Sequence, residues 1–241
     1  MDEPTSRENN GMSRANLGKD PEEVAAMFDG VAKRYDLTND LLSLGRTRAW
    51  RRAATKIIAP EPGMRILDIA AGPGSSSQPL HEAGATVFST DFSEGMLAQG
   101  RKARPYLNFS KADALNLPFE PESFDVTTIS FGLRNTMDYL KALAEALRVT
   151  RIGGRIVIVE FSHPTWRVFR SIYMRYLMRA LPAIARKTAS NPDAYIYLAE
   201  SIKAWPDQVG LAQAMEASGW SGVTWKNLTF GIVAVHSGIK R

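Results

Sequence analysis

The feature that most constrains this chain is the run Ile66-Leu67-Asp68-Ile69-Ala70-Ala71-Gly72-Pro73-Gly74, an apolar strand that passes into a turn of small residues and then into a helical stretch. In a doubly wound α/β sheet such a turn lies at the carboxyl end of the first strand, where ligands bind, and glycine lets the backbone approach a ligand with no Cβ in the way. Asp91 ends the next apolar run about 20 residues on, where a carboxylate accepts hydrogen bonds from ribose hydroxyls. Together these residues point to adenosine.

The rest of the chain has the matching texture. Short apolar runs at 65–70, 86–90, 107–111, 124–130 and 155–161 alternate with amphipathic stretches at 76–82, 94–102 and 139–149, the pattern of βα units on a parallel sheet. Gly153 and Gly154 punctuate the turn into the fifth strand. A helix at 206–218, ended by Gly219, and a hairpin of 222–227 with 231–237 close the domain. Upstream, Asp20 as cap, Pro21 at the first helical position and Glu22 and Glu23 in the first turn start a helical region that continues, with breaks, to about residue 59. Residues 1–20 carry almost no apolar side chains and read as a disordered tail. With 44% hydrophobic and 23% charged residues, 21–241 makes one domain with room for an enclosed pocket.

A nicotinamide dinucleotide site is the competing reading of the glycine loop. Against it, the third glycine of that fingerprint is Ser77 here, and Asp68 puts a carboxylate just before the loop, where it would repel a pyrophosphate. A sulfonium and an α-amino group would be attracted instead. A tight turn with Asp68 as a mere cap is the weaker alternative, because the Asp91 spacing also fits a nucleoside. No Gly-Lys-Ser/Thr follows, so the loop is not a phosphate loop. Asp113 and Ala114, just past the third strand, are placed to contact adenine, and Ser130 at the end of the fourth strand faces the same crevice.

Composition narrows the chemistry. The chain has no cysteine, hence no disulfide, thiolate nucleophile or cysteine-type zinc site, and its three histidines, His81, His163 and His236, stand far apart, so no metal is expected. No apolar run reaches the roughly 18 residues that span a bilayer and no secretory leader is visible, which predicts a cytoplasmic protein. The net charge of +5 is concentrated: Arg167, Arg170, Arg175, Arg179, Arg186 and Lys187 lie between Glu160 and Asp193 with no acid among them. Trp166, Phe169, Ile172, Tyr173, Tyr176, Leu177 and Leu181 recur between them at helical spacing. That pattern fits an amphipathic helix lying on an anionic membrane, or equally a core-facing helix with a solvated basic face. The pI near 9.5 and the aromatics beside arginines would also suit a non-catalytic adenosine- or nucleic-acid-binding module, but no nucleic-acid motif is visible and the charge sits in one helix, so nucleic acid is not expected as a partner.

Longer motifs are more specific. Ser130-Phe131-Gly132-Leu133-Arg134-Asn135 resembles the signature of the quinone-ring C-methyltransferases that complete menaquinone and ubiquinone synthesis. Phe28-Asp29-Gly30-Val31-Ala32 to Tyr35-Asp36, and Asn39-Asp40-Leu41-Leu42-Ser43-Leu44-Gly45, resemble the family's amino-terminal motif, and Glu160-Phe161-Ser162 its fifth-strand motif. Tyr197-Leu198-Ala199-Glu200-Ser201-Ile202 with Pro206-Asp207-Gln208, and Asn227-Leu228-Thr229 through Gly231-Ile232-Val233-Ala234 to His236, resemble its carboxyl-terminal ones.

The resemblance implies a class I methyltransferase fold: an α/β, Rossmann-like sheet of seven mostly parallel strands with the last antiparallel, N-terminal helices (21–59) capping the substrate side, and a basic helical lid (163–205). It implies S-adenosylmethionine as methyl donor and a polyprenylated quinol as acceptor, demethylmenaquinol first, a ubiquinone precursor or another lipophilic phenol as alternatives. Carried onto matching positions, the cofactor residues are Pro73, Asp91, Asp113, Ala114 and Ser130, beside Asp68, Gly72 and Gly74 of the loop itself. The family commonly has Gly-Gly-Thr-Gly-Asp where this chain has Ala71-Gly72-Pro73-Gly74-Ser75, so a threonine contact is absent and Pro73 removes a backbone donor; cofactor affinity is the property this departure touches. Arg134 and Asn135 would hold the phenolate that develops when the ring hydroxyl loses its proton, with Arg134 acting electrostatically because guanidinium stays protonated. Tyr35 or Asp36 would handle that proton, Asn39 would orient the ring, and His163 is a further candidate. A lipid-dissolved acceptor also favours peripheral attachment through 164–187 at the inner face of the cell membrane. Oligomeric state is left open, a homodimer included.

Overall fold

The structure, a computed structural model, describes residues 18–31, 45–188 and 192–241. The chain begins there with α1 (Pro21–Val31), α2 (Thr47–Ile58), β1 (Arg65–Ile69), α3 (Ser77–Glu82), β2 (Thr86–Asp91), α4 (Glu94–Ala103), β3 (Asn108–Lys111) and β4 (Phe124–Ser130). It continues through α5 (Tyr139–Val149), β5 (Thr150–Phe161), α6 (Arg167–Arg175), α7 (Leu181–Thr188), α8 (Pro192–Ala204), α9 (Gln208–Ala217), β6 (Ser221–Leu228) and β7 (Val233–Ile239). A π-helical turn at Tyr176–Ala180 joins α6 to α7.

The seven strands form one sheet in the order β3-β2-β1-β4-β5-β7-β6. β1 pairs in parallel with β2 and β4, and β4 with β5, while β7 runs antiparallel to both its neighbours. This is the sheet the sequence predicts. Strand order reverses between β1 and β4, and at such a switch point a crevice opens outside the carboxyl ends of the strands.

Side chains alternate across the sheet with period two. Ile66, Val87, Val126, Val157 and Val159 pack beneath Trp50, Ala54 and Ile58 of α2 and Leu80 of α3. Leu67, Ile69, Ile129, Ile156 and Ile158 face the other way, onto Ala142, Leu143 and Ala146 of α5 and Leu211 and Met215 of α9. The helical partners recur at three- and four-residue spacing, so each helix offers one apolar stripe, and each fully buried aliphatic contributes about 1.5–3 kcal/mol. Asp20 caps α1 as expected, accepting from Glu22 N at 3.0 Å and Glu23 N at 3.2 Å.

One strand boundary differs from the sequence reading by more than two residues. β5 starts five residues early, at Thr150 rather than 155, with a register shift between Phe124 and Val126 of its partner. Gly153 and Gly154 therefore mark an irregularity inside the strand: a Cβ on Gly154 would lie 2.7 Å from Asp125 O. Of the predicted tail, 1–17 lie outside the described residues, whereas Lys19 and Asp20 belong to the fold. Tyr35, Asp36 and Asn39 also lie outside the described residues.

Candidate functional site

A cleft of about 790 Å³ opens at the switch point, walled by α1 and by the turns that follow β1, β2, β3 and β4. The turns after β1 and β4 share a device. Ala70 and Phe131, the residues that follow these strands, both have left-handed backbone, φ 54° and 60°, a conformation that costs a non-glycine residue roughly 1–3 kcal/mol and gathers at functional sites. Both line the cleft. Gly132 fits between them only as glycine, since its Cβ would come within 2.5 Å of Ala70 Cβ.

The cleft end of the glycine loop is narrower than the sequence suggests. Gly72 lines it and donates its N–H to Asp91 Oδ2 at 2.8 Å. Pro73 and Gly74 do not line it: the Pro73 carbonyl accepts from Arg104 Nη1 at 2.9 Å, and Gly74 makes room for Phe109, whose Cζ a Cβ would approach to 2.7 Å. Pro73 thus sits in a buried corner tied to Arg104.

Asp91 accepts a second N–H, from Ser93 at 2.9 Å, through Oδ1. A carboxylate has about four lone-pair sites, so Asp91, which lines the cleft, keeps acceptor capacity beyond these two bonds. Burial pushes its carboxyl above the usual range, against hydrogen bonds from Ser93, Gly72 and Phe92 that pull it down. Asp113 and Ala114 also line the cleft, with Asp113 Oδ1 accepting from Leu115 N at 2.8 Å to fix the turn. Asp113 is therefore both the turn residue and a cleft residue.

Asp68 is corrected. Its side chain does not line the cleft but lies fully buried beneath the loop, where Oδ2 accepts from Ser77 Oγ at 2.6 Å and Oδ1 has no partner among the described residues. Alternation explains this, since Asp68 points to the same face as Ile66, into α3. Desolvation pushes its carboxyl up to about 6, partly offset by bonds from Ser77 and Ser76. The residue braces the loop from below.

The β4 side is assembled over long sequence distances. Ser130 lies in register with Val159 and stops short of the cleft, which Phe131, Gly132 and Asn135 reach. Asn135 donates to Phe131 O at 3.4 Å and accepts from Tyr197 Oη at 3.3 Å. Arg134 does not reach the cleft lining: buried, it gives Nη1 to Glu160 Oε1 at 2.8 Å and to Phe131 O at 2.6 Å, and its backbone N–H to Glu160 Oε2 at 3.3 Å. Its Nε, also buried, has no acceptor among the described residues. Glu160 thereby clasps the turn 131–135 from the end of β5. His163 is turned elsewhere, its Nε2 2.9 Å from Trp205 O.

Several cleft residues escaped the sequence reading. Pro21, Val24, Ala25 and Phe28 of α1 form an apolar wall, and Lys19 stands at its edge. Asp29 holds this wall in place by accepting from Ser93 Oγ and, at 2.9 Å, from Gly95 N. The Phe28-Asp29 motif carried that signal. Nothing in the sequence marks Lys19.

A sequence model of the ubiE/COQ5 methyltransferase family matches residues 16–240. The demethylmenaquinone methyltransferase of Streptomyces avermitilis is 58% identical over 229 residues, 95% of this chain and 99% of that protein. That of Renibacterium salmoninarum is 57% identical over 95% of this chain and 97% of its own, and that of Mycobacterium marinum 56% identical over 95% and 98%. Among solved structures, a Thermotoga maritima S-adenosylmethionine-dependent methyltransferase, described as a possible histamine N-methyltransferase, superposes with a TM-score of 0.66 at 19% identity over 90% of this chain and all of its own. Haemonchus contortus phosphoethanolamine N-methyltransferase 2, in complex with S-adenosyl-L-methionine, gives 0.57 at 17% identity over 79% of this chain and 52% of its own.

Proposed function

The chain belongs to the ubiE/COQ5 methyltransferase family, and from that premise we propose that it transfers a methyl group from S-adenosylmethionine to a ring carbon of demethylmenaquinol. The observation that carries the acceptor is the 56–58% identity, over nearly full length, to proteins named demethylmenaquinone methyltransferase. The likeness favours the menaquinone branch over the ubiquinone one.

The cleft fits the donor. Asp91 would hold the ribose diol, Asp113 and Ala114 the adenine, and the Ala70–Gly72 turn lets the backbone come close. When bound, the donor supplies a methyl group already activated on a sulfonium. What the protein adds is alignment and dryness, of which alignment supplies roughly 7–11 kcal/mol in favourable cases. The apolar wall of α1 excludes water from the ring. Attack through carbon needs the neighbouring hydroxyl to lose its proton, and Asn135, held on two sides, offers a polar group to the ring oxygen. Arg134 acts as a positioning residue through the turn that Glu160 clasps. We retain Tyr35 or Asp36 as proton acceptor and Asn39 as the group that orients the ring.

A prenylated acceptor resides in lipid, and α6 suits contact with it. None of its side chains is buried; Trp166, Ile172 and nearby Phe230 are 64%, 59% and 74% exposed, beside an unbroken series of arginines. Its neighbours Leu177 and Leu181 pack inward on Ala199 and Ile202, so the apolar stripe splits between core and surface. We assign the outer half to an anionic bilayer.

One assay tests both parts. Purified protein, labelled S-adenosylmethionine and demethylmenaquinol in phosphatidylcholine vesicles should yield ring-methylated quinol, faster with phosphatidylglycerol present and slower with added salt. Methylation of demethoxyubiquinol precursors or RNA in place of demethylmenaquinol overturns the acceptor; indifference to lipid charge overturns the bilayer assignment.

A further inference from the structure

Three charged side chains line the cleft among the described residues, Asp91, Asp113 and Lys19, and they are segregated. Asp91 closes β2 and Asp113 follows β3. Lys19 lies across β1 from them, its ammonium 5.6 Å from the centroid of the Trp205 ring and within electrostatic range of Arg134 and Glu160 at the ends of β4 and β5. Neighbouring strands stand roughly 4.8 Å apart, so β2, which ends in Asp91, lies roughly 10 Å from β4, and β3 roughly 14 Å.

The neighbouring charges do not neutralise Lys19. Arg134 and Glu160 are joined at 2.8 Å and cancel each other beyond short range, so among the described residues the net positive charge on this side of the cleft is that of Lys19. Burial, followed by repulsion from Arg134, holds the ammonium below its usual range, with Glu160 opposing. Among the described residues Lys19 forms no ion pair. A partly desolvated cation at a cleft wall gains most from an anion brought by the ligand.

The methyl donor carries one carboxylate, at the end of its amino-acid tail. With adenosine held at Asp91 and Asp113, a tail reaching back across β1 would end on the β4 side. Resting on the donor reading above, we propose that Lys19 is the subsite for the α-carboxylate of S-adenosylmethionine, which makes the stretch just before α1 part of the cofactor site. Because α1 walls the cleft and Asp29 ties it to Ser93 and Gly95, pairing at Lys19 would also hold α1 over the bound donor.

Calorimetry of the full chain tests this with two ligands, S-adenosylhomocysteine and its decarboxylated counterpart. The native protein should favour the carboxylate-bearing ligand. Lys19→Met should bind S-adenosylhomocysteine roughly 10- to 100-fold more weakly, the scale of one hydrogen bond to a charged group, and the decarboxylated ligand almost unchanged; Lys19→Arg should keep most of the preference. An unchanged preference in Lys19→Met overturns the subsite, and if turnover of demethylmenaquinol falls at the same time, the ammonium serves an acceptor oxyanion instead. Equal weakening of both ligands overturns it too, by marking a structural role. If the native protein binds neither ligand, the donor reading fails along with the subsite.

Discussion

The two flanks of the cleft are built by different means. On the β1–β2–β3 flank the parts are backbone and short side chains from one continuous stretch: Ala70, Gly72, Asp91, Asp113 and Ala114. On the β4–β5 flank, Arg134, Asn135, Glu160 and Tyr197 join residues up to 62 positions apart. The first flank takes its shape from local torsions and strand ends, the second from a buried ion pair and side-chain hydrogen bonds. The first should therefore resist single substitutions outside its turns, and the second should fail as a unit.

The largest effect expected is at the ion pair. Arg134→Met would leave the Glu160 carboxylate, 1% exposed, buried without its partner, a loss of about 3–5 kcal/mol. Urea denaturation should show it, and adding Glu160→Gln should recover much of the loss by removing the stranded charge. A denaturation midpoint equal to the native one would mean that the β4 flank does not depend on the pair. Binding of S-adenosylhomocysteine by the fraction still folded should suffer less than turnover, because Asp91 stands on the other flank.

A smaller effect, of opposite sign, is expected beneath the first flank. The unfolded chain releases the Asp68 proton near pH 4, whereas the folded chain holds it to about 6. Between those values the unfolded state binds fewer protons, so stability falls as pH rises, and the penalty is complete above the folded value. Two units correspond to about 3 kcal/mol. Asp68→Asn still offers Ser77 an acceptor, so it should match the native protein at pH 4 and exceed its stability at pH 7 by up to that amount. Thermal melts across this range decide; equal pH slopes in the two proteins would show that Asp68 ionises normally.

The same contrast explains what could be read from the sequence. The sheet was legible because short apolar runs such as Ile66 to Ile69 and helical stripes such as Ala142, Leu143 and Ala146 report burial directly. Asp91 and Asp113 were legible because each follows its strand by a fixed local geometry. Asp68 misled: spacing placed it at the loop but could not say which face of β1 it occupies once α3 packs there. The second flank was legible only as motifs. Ser130 to Asn135 and Glu160 to Ser162 could be named, but that Arg134 faces Glu160 and not the cleft is decided by packing between β4 and β5, which no local pattern encodes. Lys19, in a polar stretch, gave no signal.

Where the flanks meet, a backbone contact joins them. Gly132 passes Ala70 so closely that a Cβ would come within 2.5 Å of the Ala70 Cβ, so Gly132→Ala must displace one turn or the other at a cost of about 1–3 kcal/mol, typical of overpacking. Ala70→Gly removes the opposing methyl and relieves a left-handed alanine, φ 54°, so alone it should be neutral or slightly stabilising. The double variant should then regain most of what Gly132→Ala loses, in melting temperature and in S-adenosylhomocysteine affinity together. Recovery of stability without recovery of affinity would place the fault in the β4 turn alone, and the flanks would be independent. Recovery of both makes the Ala70–Gly132 contact the point through which the locally built flank sets the position of the assembled one.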